Sequence, residues 1–171
     1  MPARVSPVAS DLQADGYAIE GYACLFDVPD LGRDLIERGA FASSLARQGV
    51  GGVRMLYQHD PAEPIGVWTD LIEDGRGLYA RGRLSPFVAR AREVAALIRD
   101  GALDGLSIGF KAVTARTDPR TRLRRIARID LWEVSVVTFP MQPDARIRRP
   151  APSPAAMLTA AAARLRAAAG A

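Results

Sequence analysis

Three residues of this 171-residue chain could do chemistry together. Ser107 stands in Gly105-Leu106-Ser107-Ile108-Gly109-Phe110, between apolar residues, with a glycine two places away on each side. His59, in Leu56-Tyr57-Gln58-His59-Asp60, is the one histidine. Glu133 is the one acid inside the apolar run Leu131-Trp132-Glu133-Val134-Ser135-Val136-Val137. A hydroxyl nucleophile, an imidazole base and an orienting carboxylate make a hydrolytic triad, recognised by role and not by order in the chain. Imidazole titrates near neutrality, so it can take a proton from a hydroxyl and return it. Taken singly, each residue has an ordinary explanation. A lone histidine is usually a surface or satisfied core residue, most serines in strands are small polar fillers, and an edge-strand glutamate is common. The joint pattern carries the hypothesis. Asp60 and Asp130 are weaker candidates for the carboxylate.

The elements around these residues must be strands and turns. Residues 53–58 alternate, with Val53, Met55 and Tyr57 on one face, and His59 ends the strand where Asp60-Pro61 breaks the pairing. In the strand that carries Ser107, Leu106, Ile108 and Phe110 share one face and Ser107 and Gly109 the other, where Gly109 would let a substrate backbone approach. Residues 126–139 form the longest strand-like run, ended by 140–143. Glu133 and Ser135 share a face; Trp132, Val134 and Val136 share the opposite one.

The remaining elements follow from turn and cap signals. Strands are predicted at 17–26, 34–37, 65–71 and 78–84, with hairpin residues at 73–77. A short helix is expected at 42–48, stopped by Gly49. A second helix begins with Ser85 as N-cap and Pro86 in its first turn, presents Val88, Ala91, Val94, Ala95, Leu97 and Ile98, and stops at Gly101. Residues 115–125 read as a polar loop. Many short strands with few helices predict a mainly β (α+β) fold, an antiparallel barrel or sandwich with helices packed outside. Residues 1–15 read as a loose arm, 16–149 as one domain, and 150–171 as a Pro/Ala-rich linker with an Ala-rich helix.

Composition excludes several classes. Hydrophobic residues make up 49% and charged residues 25%, ordinary for a globular chain. No apolar run is long enough for a membrane helix and the N-terminus lacks a signal core, which predicts a chain that stays in the cytoplasm where it is made. One cysteine, Cys24, allows no internal disulfide, and one His with one Cys cannot make a Cys/His zinc site. There is no Walker loop and no nucleotide-binding glycine pattern, so no cofactor is expected. Net charge is +4, almost all of the basic residues being Arg, with clusters at 116–128 and 146–149. These read as solvated loop and tail, and 6% aromatic content gives little for base stacking, so nucleic acid is not the expected partner.

The sequence resembles the prohead maturation serine proteases of tailed phages, prophages and gene transfer particles, over about residues 17–147. The likeness is carried by Gly21-Tyr22-Ala23 with Phe26, then Gly39-Ala40-Phe41. It continues through Leu56-Tyr57-Gln58-His59-Asp60 with Pro64-Ile65-Gly66, Gly77-Leu78, and Gly101-Ala102-Leu103 leading to Leu106-Ser107-Ile108-Gly109-Phe110. The last block is Leu131-Trp132-Glu133-Val134-Ser135-Val136-Val137-Thr138-Phe139-Pro140. The resemblance implies an assemblin-like antiparallel β-barrel ringed by short helices, and an endopeptidase acting inside the immature capsid in the host cytoplasm. Implied substrates are the scaffold or the N-terminal segment of the major capsid protein, and the chain itself; a homo-oligomer is compatible. The family's serine maps to Ser107, its histidine to His59 and its acid to Glu133. Assemblin relatives use a second histidine in the third role, which this chain does not have. Tyr57-Gln58 replaces a different pair in many relatives, a departure outside the chemistry. Oxyanion donors are expected from backbone N–H groups of 139–141 or an Arg of 116–128. The competing expectation is an inactive assembly factor that binds capsid or scaffold protein.

Overall fold

A computed structural model describes residues 16–148. The expected arm over 1–15 and the linker and helix over 150–171 lie outside the described residues. In chain order the elements are β1 (Tyr17–Leu25), β2 (Asp34–Ile36), α1 (Ala42–Gln48), β3 (Arg54–Tyr57), β4 (Asp60–Glu73), β5 (Gly77–Leu84), α2 (Ala89–Asp100), β6 (Gly105–Thr117) and β7 (Arg124–Val137). The mainly β expectation holds: one curled sheet carries two helices. None of these helices is long and apolar enough to cross a membrane.

The sheet order is β1-β5-β4-β3-β7, and β7 is its axis. The whole length of β7 pairs with β6 along one edge. Its other edge is shared between β3, opposite Glu133 to Val136, and β2, opposite Arg124 to Ile126. Both of those pairings are parallel, whereas every other strand pair is antiparallel, so the sheet is mixed rather than purely antiparallel. Residues 145–148 span the gap between β6 and β1. Leu106 donates its N–H to Ala145, Ile147 to Asp104, and Arg148 to Glu20, at 2.9, 2.8 and 2.7 Å. The exposed ends of β1 and β6 are thus given backbone partners instead of open edges.

The curl encloses Met55, Ile65, Leu78, Leu84, Leu106, Val134 and Val136, all at most 1% exposed. One face of α2, with Ala91, Val94, Ala95 and Ile98 buried, packs on this core. Burying side chains such as Val94 and Ile98 contributes about 1.5–3 kcal/mol each. Gly101 ends α2 in the left-handed conformation, φ 77°, as its place after the apolar face predicted.

Four expectations are corrected. Helix α2 starts at Ala89 with Val88 as its cap, not at Ser85. The Ser85 N–H is spent on Ile65 across β4, and its carbonyl accepts from Val88 in a turn. Asp60-Pro61 does not end the pairing: β4 begins at Asp60 and carries Pro61 and Pro64 through register shifts, where a missing N–H is tolerated. The polar loop expected at 115–125 shrinks to a six-residue turn between Thr117 and Arg124. There Asp118 accepts from the backbone of Arg120 and Thr121. Finally, β7 does not alternate throughout. Its core residues are Ile126, Ile129, Leu131, Val134 and Val136, so the period of two slips twice. The second slip is a bulge: Gly109 faces Glu133 and Phe110 faces Leu131, with Trp132 unpaired between them. Trp132, expected on the side of Val134, is 56% exposed instead.

Candidate active site

The bulge at Trp132 decides where Glu133 points. With Leu131 in the core, plain alternation would send Glu133 inward; the extra residue turns it to the outer face. Helix α1 clasps the bulge. Ser44, fully buried, accepts the Leu131 N–H at 2.9 Å, and Gln48 one turn later donates to the Leu131 carbonyl at 2.6 Å. The backbone groups beside the bulge are therefore satisfied, as buried polar groups must be.

Across the sheet, Glu133 lies opposite Gly109, and Ser135 opposite Ser107. Directly opposed residues of an antiparallel pair project from the same face, with Cβ atoms about 4.5–5.5 Å apart. Ser107, Ser135 and Glu133 thus share the outer face, while Leu106, Val134 and Val136 fill the core. A Cβ on Gly109 would overlap the Glu133 carboxylate. The space that the sequence reserved for a substrate backbone is occupied by this carboxylate, so Gly109 serves Glu133.

His59 reaches this face from a two-residue turn. Tyr57 pairs with Asp60, and Gln58 and His59 between them have φ of 54° and 61°. Positive φ at both central residues is the geometry of a tight hairpin turn, one that glycine or asparagine ordinarily supplies. Here other contacts hold it. The Gln58 N–H donates to Val136 at 3.0 Å and its side-chain amide donates to Thr138 Oγ1 at 2.6 Å. The His59 N–H donates to Ser135 Oγ at 3.1 Å.

The ring is fixed by Glu133. His59 Nδ1 lies 2.5 Å from Glu133 Oε1, and the other carboxylate oxygen accepts from Ser135 Oγ at 2.6 Å. Glu133 is buried and the His59 side chain is partly open to solvent. The hydrogen bond to Glu133 raises the His59 pKa above its usual value, and burial only partly opposes this. With Nδ1 bonded to the carboxylate, Nε2 is left as the basic nitrogen. Among the described residues Ser107 Oγ makes no hydrogen bond, and the side chain is 4% exposed at the wall of a cavity of about 180 Å³. Catalytic bonds of this kind commonly close only once substrate is bound. Cys24 lines the same cavity, but burial pushes its thiol up to about 12, so it stays protonated and unreactive.

The structure brings His59 and Glu133 into contact and sets Ser107 on the same face. It separates the other carboxylates. Asp130 is held by Arg47 and Trp132, and Asp60 caps the Ala62 N–H at 2.8 Å. Two contributors escaped sequence reasoning as positioning groups. Ser135 was legible only as a face-mate of Glu133, and Gln58 stood outside the chemistry. Of the 116–128 arginines, Arg124 is paired with Asp34, and Arg116 and Arg125 with Glu37.

The sequence and the fold are similar to those of known proteins. A family model described as Caudovirus prohead serine protease matches residues 6–159. The prohead protease of Enterobacteria phage HK97 is 38% identical over 133 residues, 75% of this chain. That of Escherichia phage T5 is 29% identical over 145 residues, 84% of this chain and 68% of that protein. This chain spans 57% of the length of the HK97 protein. The fold resembles the bacteriophage T4 capsid assembly protease, with a TM-score of 0.56 at 18% identity over 70% of this chain and 80% of that one. It also resembles the KSHV protease solved with a hexapeptide phosphonate inhibitor, with a TM-score of 0.54 at 14% identity over 76% and 63%.

Proposed function

The chain belongs to the caudovirus prohead serine protease family, and from that premise we propose that it is a serine endopeptidase with Ser107 as nucleophile, His59 as base and Glu133 as the orienting acid. It cuts the scaffold, or the N-terminal segment of the major capsid protein, and its own chain, inside the immature capsid. The observation that carries this reading is the His59–Glu133 pair held over the sheet face from which Ser107 projects.

In this mechanism Nδ1–H of His59 donates to Glu133, and Nε2 takes the proton from Ser107 Oγ as it attacks the peptide carbonyl. Collapse of the tetrahedral adduct breaks the C–N bond, and the amine leaves with the proton from Nε2. Water, deprotonated by the same nitrogen, then cleaves the acyl ester and returns the proton to Ser107. Glu133 remains ionised and stabilises the transient imidazolium. Met141 lines the Ser107 cavity, which supports its backbone N–H as an oxyanion donor, and Arg116, Arg124 and Arg125 are already paired with acids.

The test is co-expression with the cognate major capsid protein, wild type beside Ser107→Ala, read by intact-protein mass. Shortened capsid protein with wild type alone is the expected result. Full-length chains in both, in assembled shells that contain this protein, would replace the reading with that of an assembly factor.

A further inference from the structure

Among the described residues, one carboxylate of the cavity beside Ser107 has no ion-pair partner of its own. Asp30 and Asp34 both line it. Both oxygens of Asp34 are taken by the Arg124 guanidinium. Asp30 receives only backbone contacts, the Asp34 N–H donating to its Oδ1 at 2.8 Å, and among the described residues it forms no ion pair. Two carboxylates thus share one cation. Burial raises the Asp30 pKa and the neighbouring Asp34 charge adds to this, while backbone hydrogen bonds and Arg124 oppose it. Ser107 opens on the same cavity, more than nine-tenths buried and without a hydrogen-bond partner among the described residues. The wall is preorganised: Gln142 donates to the carbonyls of Leu25 and Val28 at 3.0 and 2.7 Å, tying the loop that carries Asp30 to the segment after β7. About 180 Å³ holds one side chain, not a whole small-molecule ligand.

We propose that this cavity is the subsite for a basic side chain, Lys or Arg, on the substrate residue whose carbonyl Ser107 attacks, with Asp30 as its partner. The apolar lining, including Ile108, takes the side chain's methylene stem, and the Asp30 carboxylate takes its cation. A neutral side chain of the same length fills the cavity but leaves Asp30 desolvated and unpaired, which is how a buried polar group discriminates. An acidic side chain adds like-charge repulsion.

This inference rests on the proteolytic reading, and one experiment separates the two. Full-length protein is incubated with a denatured protein mixture, and cut sites are mapped by mass spectrometry. A peptide carrying the best site is then compared with versions bearing norleucine or Glu before the cut. Expected are cuts after Lys or Arg, a kcat/KM for Lys about ten- to a hundredfold above norleucine, and collapse of that ratio in Asp30→Asn. Because the wild-type ratio decides by itself, a misfolded variant does not rescue the idea. Cleavage with no basic preference, or an unchanged ratio in folded Asp30→Asn, overturns the subsite and leaves the protease standing. No cleavage by wild type, or cleavage undiminished in Ser107→Ala, overturns both.

Discussion

A carboxylate that gives one oxygen to an imidazole and the other to a hydroxyl can hold the ring in only one orientation. Glu133 does this with His59 and Ser135. Glu133→Gln keeps the shape, but its amide cannot act as anion to an imidazolium. Its kcat should fall on the order of 10²–10⁴-fold. The pH profile checks the cause. In the proposed mechanism catalysis needs neutral His59, so the wild-type rate should rise as pH passes the His59 pKa, which Glu133 holds above the usual value. In Glu133→Gln that ascending limb should move to lower pH. The same sign governs stability. The pair stabilises the fold while His59 is protonated, fully below the unfolded pKa, and that contribution is lost as pH rises through the folded one. At this scale the sequence was informative. One histidine and one acid in an apolar run left few choices, and Asp130 and Asp60 fall away because other groups hold them.

What the sequence could not show lies at the scale of the elements. The faces of β6 follow from alternation, and Ser107 does project opposite Leu106 and Ile108. Glu133 likewise falls opposite Val134 and Val136, as alternation over 133–136 gives; the face of Trp132 does not follow, because the bulge there leaves no mark in the composition. Nor does the turn at Gln58-His59, which lacks the glycine or asparagine that announces such turns, and is held by Val136, Thr138 and Ser135 instead. The helix at Ala42–Gln48 was legible from the glycine after it, but its service to the bulge was not. That service is testable. Ser44→Ala leaves the buried Leu131 N–H without its acceptor and should cost about 1–3 kcal/mol, read by urea denaturation. It should also lower kcat in folded protein while Cys24 stays unreactive to thiol reagents. Unchanged stability would show that the bulge holds itself.

Across the whole molecule, the sheet is brought round by the strip that follows β7. A Cβ on Gly21 would overlap the Arg146 carbonyl, so β1 can accept this strip only because it carries glycine there. Gly21→Val should therefore destabilise the fold by about 3 kcal/mol, measured as a fall in the urea midpoint, and loosen the wall of the Ser107 cavity formed by Ala23 and Cys24. A midpoint equal to wild type would mean that the strip does not bear on stability. The mainly β architecture was readable from turn spacing, and the family resemblance gave its barrel form. The parallel pairings were not readable, because local alternation says nothing about the direction of a distant partner.

We propose that Ser107 is a nucleophile activated by His59 and Glu133. The most direct measurement is labelling by a fluorophosphonate, which needs an activated serine but no knowledge of the cleavage site. Intact mass and peptide mapping should show one adduct per chain, on Ser107. It should be lost in His59→Ala and slowed in Glu133→Gln, with both variants folded. No adduct on wild type, an adduct on another serine, or labelling of Ser107 that is indifferent to His59 would contradict the account.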